Sequence, residues 1–178
     1  MRALAPVALA PPLALALALA ACAAGCGGQP RALAPIPTAT AAPLPPLEYR
    51  LRTGEPWTSR AALGRVIVLD AWATYCKPCR KAFPKLGRLA AAYPDAVVIG
   101  VSLDEDDAVV ESFLREVPAA FTIARDPQRT LQSGPLAMTR LPTLLVIDRT
   151  GRIRFRGDPM KEADYDGLPG LVAALLAE

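Results

Sequence analysis

Apolar residues recur along this chain in different rhythms, and the changes between them mark its parts. Residues 3–21 are apolar, running Ala-Leu-Ala-Leu from Leu13 to Ala20 behind Met1-Arg2. Residues 27–47 are rich in Gly, Ala and Pro with Thr, and Pro35, Pro37, Pro43, Pro45 and Pro46 keep such a stretch extended and unable to pack a core. From residue 48 onward short apolar runs alternate with helically spaced apolar positions, the pattern of one folded domain.

Within that domain Glu48 to Arg52 and Glu55 to Thr58, with Gly54 between them, predict a hairpin. Val66-Ile67-Val68-Leu69 is a continuous apolar run of the kind buried on both faces of a sheet. Residues 77–92 carry Phe83, Leu86, Leu89 and Ala90 at helical spacing, with Pro84 predicting a kink. Strands are expected over 96–101, 121–124, 143–147 and 152–156, a helix over 105–117, a turn at Asp148-Arg149-Thr150-Gly151 and a closing helix over 164–177. The fold class is α/β: a mixed central sheet with helices on both faces.

Composition narrows the chemistry. The 178 residues carry 20 Lys and Arg against 17 Asp and Glu, a net +3 too small for a phosphate-binding surface, so no nucleic acid is expected as a partner. Histidine is absent, which removes Ser-His and Cys-His nucleophile pairs and imidazole metal ligands, and no cofactor is expected. Four cysteines form two sequence pairs, Cys22 with Cys26 and Cys76 with Cys79. A zinc site would need all four thiolates or borrowed carboxylates, across a flexible stretch.

The N-terminal segment reads as an export signal over residues 1–21, and Pro6, Pro11 and Pro12 disfavour a continuous membrane-spanning helix. Leu19-Ala20-Ala21-Cys22 resembles the lipobox of bacterial lipoproteins, in which the peptide is cut before a cysteine that then carries lipid. Cys22 is thus the expected lipidation site, and residues 22–47 the expected tether of a domain spanning 48–178. An ordinary cleaved signal is the alternative.

Cys76-Lys77-Pro78-Cys79 stands between the strand ending in Asp70-Ala71-Trp72 and the helix that follows. A thiol at a helix start meets the positive end of the backbone dipole and unpaired N–H groups, which favour thiolate. Lys77 adds positive charge, and Pro78 suits a first helical turn. A static disulfide is the competing reading, but closing so small a loop adds little stability.

The run Asp70-Ala71-Trp72-Ala73-Thr74-Tyr75-Cys76-Lys77-Pro78-Cys79-Arg80, with Phe83-Pro84 behind it and Leu141-Pro142-Thr143 ahead of the Leu144 to Asp148 strand, resembles the thioredoxin superfamily. The extra strand and helix at 96–117 and the Asp148 to Ile153 turn resemble its exported TlpA/ResA branch. The resemblance implies a thioredoxin-like fold with an N-terminal β-hairpin and a strand-helix insert. It also implies a thiol-disulfide oxidoreductase in the cell envelope, on the periplasmic side. Its expected partners are protein disulfides and dithiols, a membrane electron donor where the net direction is reduction, and the membrane itself through lipid on Cys22.

By that resemblance Cys76 is the nucleophile, Cys79 resolves the mixed disulfide, and Asp70 takes the proton of Cys79. Pro142 is the cis proline facing the disulfide, and the backbone of Leu141 pairs with an extended substrate. Trp72 and Tyr75 form an apolar rim around Cys76, with Lys77 and Pro78 beside it. ResA-type proteins usually place a glutamate just before the Phe-Pro pair, where this chain has Ala82, and often an asparagine where Asp70 stands. The acid has thus moved from helix to strand. Two other functions remain open, a peroxiredoxin-like peroxidase and a copper metallochaperone of related fold. The first requires a different local cysteine pattern, and the second typically requires wider spacing and a histidine.

Outside the dithiol, the run Asp104-Glu105-Asp106-Asp107 is expected to cap the following helix. Arg152, Arg154 and Arg156 alternate as on a charge-protected sheet edge.

Overall fold

The structure is a computed structural model that describes residues 31–178. The expected signal peptide, Cys22 and the first part of the expected tether lie outside the described residues.

Seven strands form one mixed sheet: β1 (Glu48–Leu51), β2 (Pro56–Thr58), β3 (Ile67–Trp72), β4 (Val97–Ser102), β5 (Thr122–Arg125), β6 (Thr143–Ile147) and β7 (Ile153–Gly157). Their spatial order is β2-β1-β5-β4-β3-β6-β7. β3, β4 and β5 run parallel, and the flanking pairs are antiparallel. The helices are α1 (Lys77–Ala92), α2 (Asp107–Glu116), the four-residue α3 (Thr130–Ser133) and α4 (Leu168–Ala177), the last preceded by a 3-10 segment, Glu162–Gly167. Each predicted element is present within a few residues. The predicted 164–177 helix divides into the 3-10 segment and α4, and α3 was not anticipated.

Side-chain alternation sorts the core. All of β3 is buried, and Ile67, Leu69 and Ala71 face one cluster while Val66 and Val68 face the other. The second face is covered by α1 and α4 through Leu86, Leu89, Leu171 and Leu175. Farther along that face Phe83 of α1 meets Val110, Phe113 and Leu114 of α2. The Ile67 face is covered by Leu131 of α3, Leu136, Met138 and Tyr49. Helices thus crowd one face, and the other has only α3 and irregular chain.

Two expectations change. The tether expected over 22–47 is not free in its described part, because residues 31–47 form a strap along the outer edge of β7. Ile36 N–H donates to the Arg154 carbonyl at 2.5 Å, Ile153 N–H to the Ala42 carbonyl at 2.8 Å, and Leu44 N–H to the Gly151 carbonyl at 2.8 Å. Leu33 packs on one core face and Leu44 and Leu47 on the other. The sheet edge offers the strap's backbone the partners that its own proline-rich sequence cannot supply.

The arginine edge is correspondingly solvated only in part: Arg156 is exposed and Arg152 half-buried, but Arg154 is enclosed. Arg154 is 4% exposed and reaches Asp148 at 3.3 Å, Glu178 at 2.9 Å and the Ile36 carbonyl at 2.6 Å. Its three hydrogen-bonded partners let a buried guanidinium hold the strap, the turn and the C-terminus together.

Candidate active site

The parallel strands end where α1 begins, so the sheet delivers the dithiol to the helix N-terminus. Cys76 is the N-cap of α1, with its sulfur accepting from the Cys79 N–H at 3.2 Å, and Pro78 occupies the first turn, where no N–H is required. α1 continues through Pro84 to Ala92. Cys76 and Cys79 form a disulfide with a Cα–Cα distance of 5.3 Å. The two sulfurs differ in access. Cys76 keeps 7% exposure and Cys79 none, so an incoming sulfur meets Cys76 first.

The Cys76 end is bordered by exposed Tyr75, Lys77 and Pro78. Pro142 follows a cis peptide bond, and its carbonyl is taken by the Met160 N–H at 2.8 Å. Leu141 packs against the cluster that contains both cysteines, and among the described residues no backbone hydrogen bond takes up its own N–H or carbonyl. That leaves Leu141 free to pair with an extended chain.

Trp72 is not part of the rim. It is fully buried, 4.8 Å from the Phe83 ring and 5.0 Å from that of Phe113, and so lies beneath the dithiol rather than beside it. The reason is Gly100 on β4, which has no side chain to fill the space that the indole takes; a Cβ there would stand 3.1 Å from the indole nitrogen. Tyr75, 66% exposed, remains where a rim residue would be.

Asp70 is fully buried on β3 between Gly100 and Leu144 of the neighbouring strands. Tyr165 of the 3-10 segment donates its hydroxyl to Asp70 Oδ1 at 2.9 Å, and Oδ2 has no partner. Burial pushes the carboxyl up from its ordinary 3.8 to about 7, against the opposing pull of the Tyr165 hydrogen bond. Tyr165 is itself held far above the usual phenol range, by burial first and then by the charge of Asp70. Its partnership with Asp70 spans 95 positions, and no local sequence pattern announces it.

A second missed contact fixes the loop ahead of Cys76. Within the acidic run only Asp106 caps α2, accepting from the Ala108 N–H at 2.8 Å. Asp104 is buried and turned instead to the active-site loop. Its carboxylate accepts from the Thr74 N–H at 2.9 Å, the Thr74 hydroxyl at 2.8 Å and the Ser102 hydroxyl at 2.8 Å.

A sequence model described as thioredoxin-like matches residues 64–153, half of the chain, with Asp70, both cysteines and Pro142 inside the match and Tyr165 outside it. The chain belongs to the thioredoxin-like family. Among similar proteins, the thiol:disulfide interchange protein DsbE homolog of Paracoccus denitrificans is 35% identical over 117 residues, 64% of this chain and 63% of that protein. Thiol-disulfide oxidoreductase ResA of Bacillus cereus is 30% identical over 103 residues, 56% of this chain, which spans 59% of that relative's length. A solved structure from Chlorobium tepidum, assigned as a thiol:disulfide interchange protein DsbE, matches with a TM-score of 0.70 and 31% identity, covering 76% of this chain and 96% of that one. Within the thioredoxin-like fold, the Cys76-Cys79 pair at the start of α1 is the redox-capable feature of this chain.

Proposed function

We propose that this chain is an exported, lipid-tethered thiol-disulfide oxidoreductase acting on protein thiols in the cell envelope. The observation that carries the reading is the asymmetry of the dithiol: an accessible Cys76 sulfur capping α1 and a buried Cys79 sulfur bonded to it. The relatives named as DsbE and ResA oxidoreductases support the activity, and the envelope setting rests on the export signal read over residues 1–21.

In the reducing direction the Cys76 thiolate attacks one sulfur of a substrate disulfide, breaking that bond and releasing the other sulfur as thiolate. Helix-terminal N–H groups, the Cys79 N–H among them, stabilise the charge on Cys76, and Lys77 adds to it. Cys79 then loses its proton to Asp70 and attacks Cys76, which closes the intramolecular disulfide and releases the second substrate thiolate. The Leu141 backbone holds the substrate strand in line, and the Tyr75, Lys77 and Pro78 border shapes its approach.

The test uses the full chain in insulin reduction driven by dithiothreitol. Activity is expected in the wild type and lost in Cys76→Ser, while Cys79→Ala accumulates a substrate mixed disulfide. Retained activity in Cys76→Ser refutes the assignment. Labelled palmitate is expected in the wild type, and uptake that survives Cys22→Ser refutes the lipid site.

A further inference from the structure

Asp70 has no route to water of its own. It is 0% exposed, Gly100 and Leu144 flank it on the sheet without a polar side chain, and its Oδ2 is unpartnered. A carboxylate so placed can receive a proton once, but a turnover cycle requires that the proton leave again. Among the described residues its one hydrogen-bonded neighbour is the Tyr165 hydroxyl.

Tyr165 in turn stands at a boundary. Its side chain helps to line a crevice of about 20 Å³, with room for about one water molecule, between α1 and the 3-10 segment. Pro78, Ala82, Pro142 and Met160 form its apolar walls, so it opens at the turn of α1 that carries Cys79. The remaining lining is charged: Lys81 pairs with Glu162 at 3.1 Å, and Lys85 with Asp166 at 2.8 Å. Lys81 and Glu162 are largely exposed, so the crevice connects with solvent on that side.

We propose that Tyr165 is the positioning residue that sets the charge state of Asp70 and passes its proton to solvent through this crevice. The inference rests on the reading of Asp70 as the base for Cys79. In the resolving step the Cys79 thiol proton goes to Asp70, Cys79 sulfur bonds to Cys76 sulfur, and the substrate sulfur leaves with the electron pair of the broken bond. Asp70 then gives its proton to the Tyr165 oxygen as the Tyr165 hydroxyl proton passes to water in the crevice. Carboxylate and phenol are both restored, and one proton reaches solvent per disulfide closed.

The direction of the pH effect follows from the same contacts. Tyr165 donates to the charged form of Asp70 and so favours it; Tyr165→Phe keeps the ring and removes that donor. The charged and titratable groups around the pair are few. Asp164 and Glu162 come from the 3-10 segment, Cys79, Lys81 and Lys85 from α1, and none from the adjacent positions of β4 and β6. The lysines are engaged with Glu162 and Asp166 and remain in place in the variant.

The experiment follows resolution of a preformed mixed disulfide by stopped flow between pH 5 and 9, in the full chain. In the oxidised protein, carbon NMR of the Asp70 carboxyl gives the same midpoint directly. In Tyr165→Phe the midpoint is expected to rise by about one pH unit, which slows resolution at pH 7 about fivefold. Asp70→Asn is expected to abolish this limb of the profile, and adding Tyr165→Phe to it to change nothing further. An unchanged midpoint in Tyr165→Phe, with the limb lost in Asp70→Asn, overturns the role of Tyr165 alone. A limb that survives Asp70→Asn overturns the Asp70 reading and the relay with it.

Discussion

Replacing Asp70 with asparagine is expected to make the oxidised protein more stable at neutral and alkaline pH. The carboxyl titrates at about 7 in the fold against an ordinary 3.8, because ionising it without water costs more than the single Tyr165 hydrogen bond returns. With the folded value raised, the native state binds more protons than the open chain between these limits, so stability falls as pH rises from about 4 through about 7. The gap corresponds to about 4 kcal/mol in total, of which about 3 kcal/mol is lost between pH 5 and 9. Asparagine has the same shape, stays neutral and still accepts from Tyr165, so that slope disappears. Part of the gain is offset where the amide N–H groups face the side on which Oδ2 has no partner. Urea unfolding of the oxidised wild type and Asp70→Asn at several pH values checks this. Parallel pH dependences in the two proteins refute the argument, since they mean that Asp70 is ionised in the fold at no unusual cost.

Two further substitutions test the supports of the site. Asp104→Ala removes the acceptor for the Thr74 N–H and hydroxyl and for Ser102, at an expected cost of about 2 kcal/mol in stability. It also loosens the loop before Cys76, so the Cys76 alkylation rate is expected to change relative to wild type; identical rates and stability mean that the contacts are idle. Arg154→Met strands the Asp148 carboxylate and unpins the strap at Ile36. The expected loss is about 2 kcal/mol, less than for a fully enclosed pair because Glu178 is half exposed, and chemical denaturation with limited proteolysis near Ile36 reads it.

Much of the fold was legible because its signals are local. The Val66 to Leu69 run is apolar on both faces and led into β3, an interior strand buried along its whole length, and the Phe83, Leu86, Leu89 spacing became the buried side of α1. The dithiol was equally plain, since its chemistry lies in contiguous residues, whereas the cis bond before Pro142 was expected only from the family resemblance. What was missed depends on contacts distant in sequence. Residues 31–47 look like a linker by composition, and only the partners offered by β7 make them part of the domain. Tyr165 and Asp104 are ordinary in their own neighbourhoods; a hydroxyl that finds Asp70 and a carboxylate that finds Thr74 are products of the packing. Trp72 misled for the opposite reason, because its place near Cys76 in sequence says nothing of the space that Gly100 opens beneath it.

The strap also sets how far the domain can stray from an anchor. A free tether from Cys22 to residue 47 would let it range to about 90 Å. With chain from Arg31 onward fastened to the domain, a lipid on Cys22 leaves a leash of at most about 30 Å, roughly the thickness of a bilayer's hydrocarbon interior. Held so near, the dithiol would serve disulfides presented at the membrane surface, and clients deep in the envelope would have to come to it.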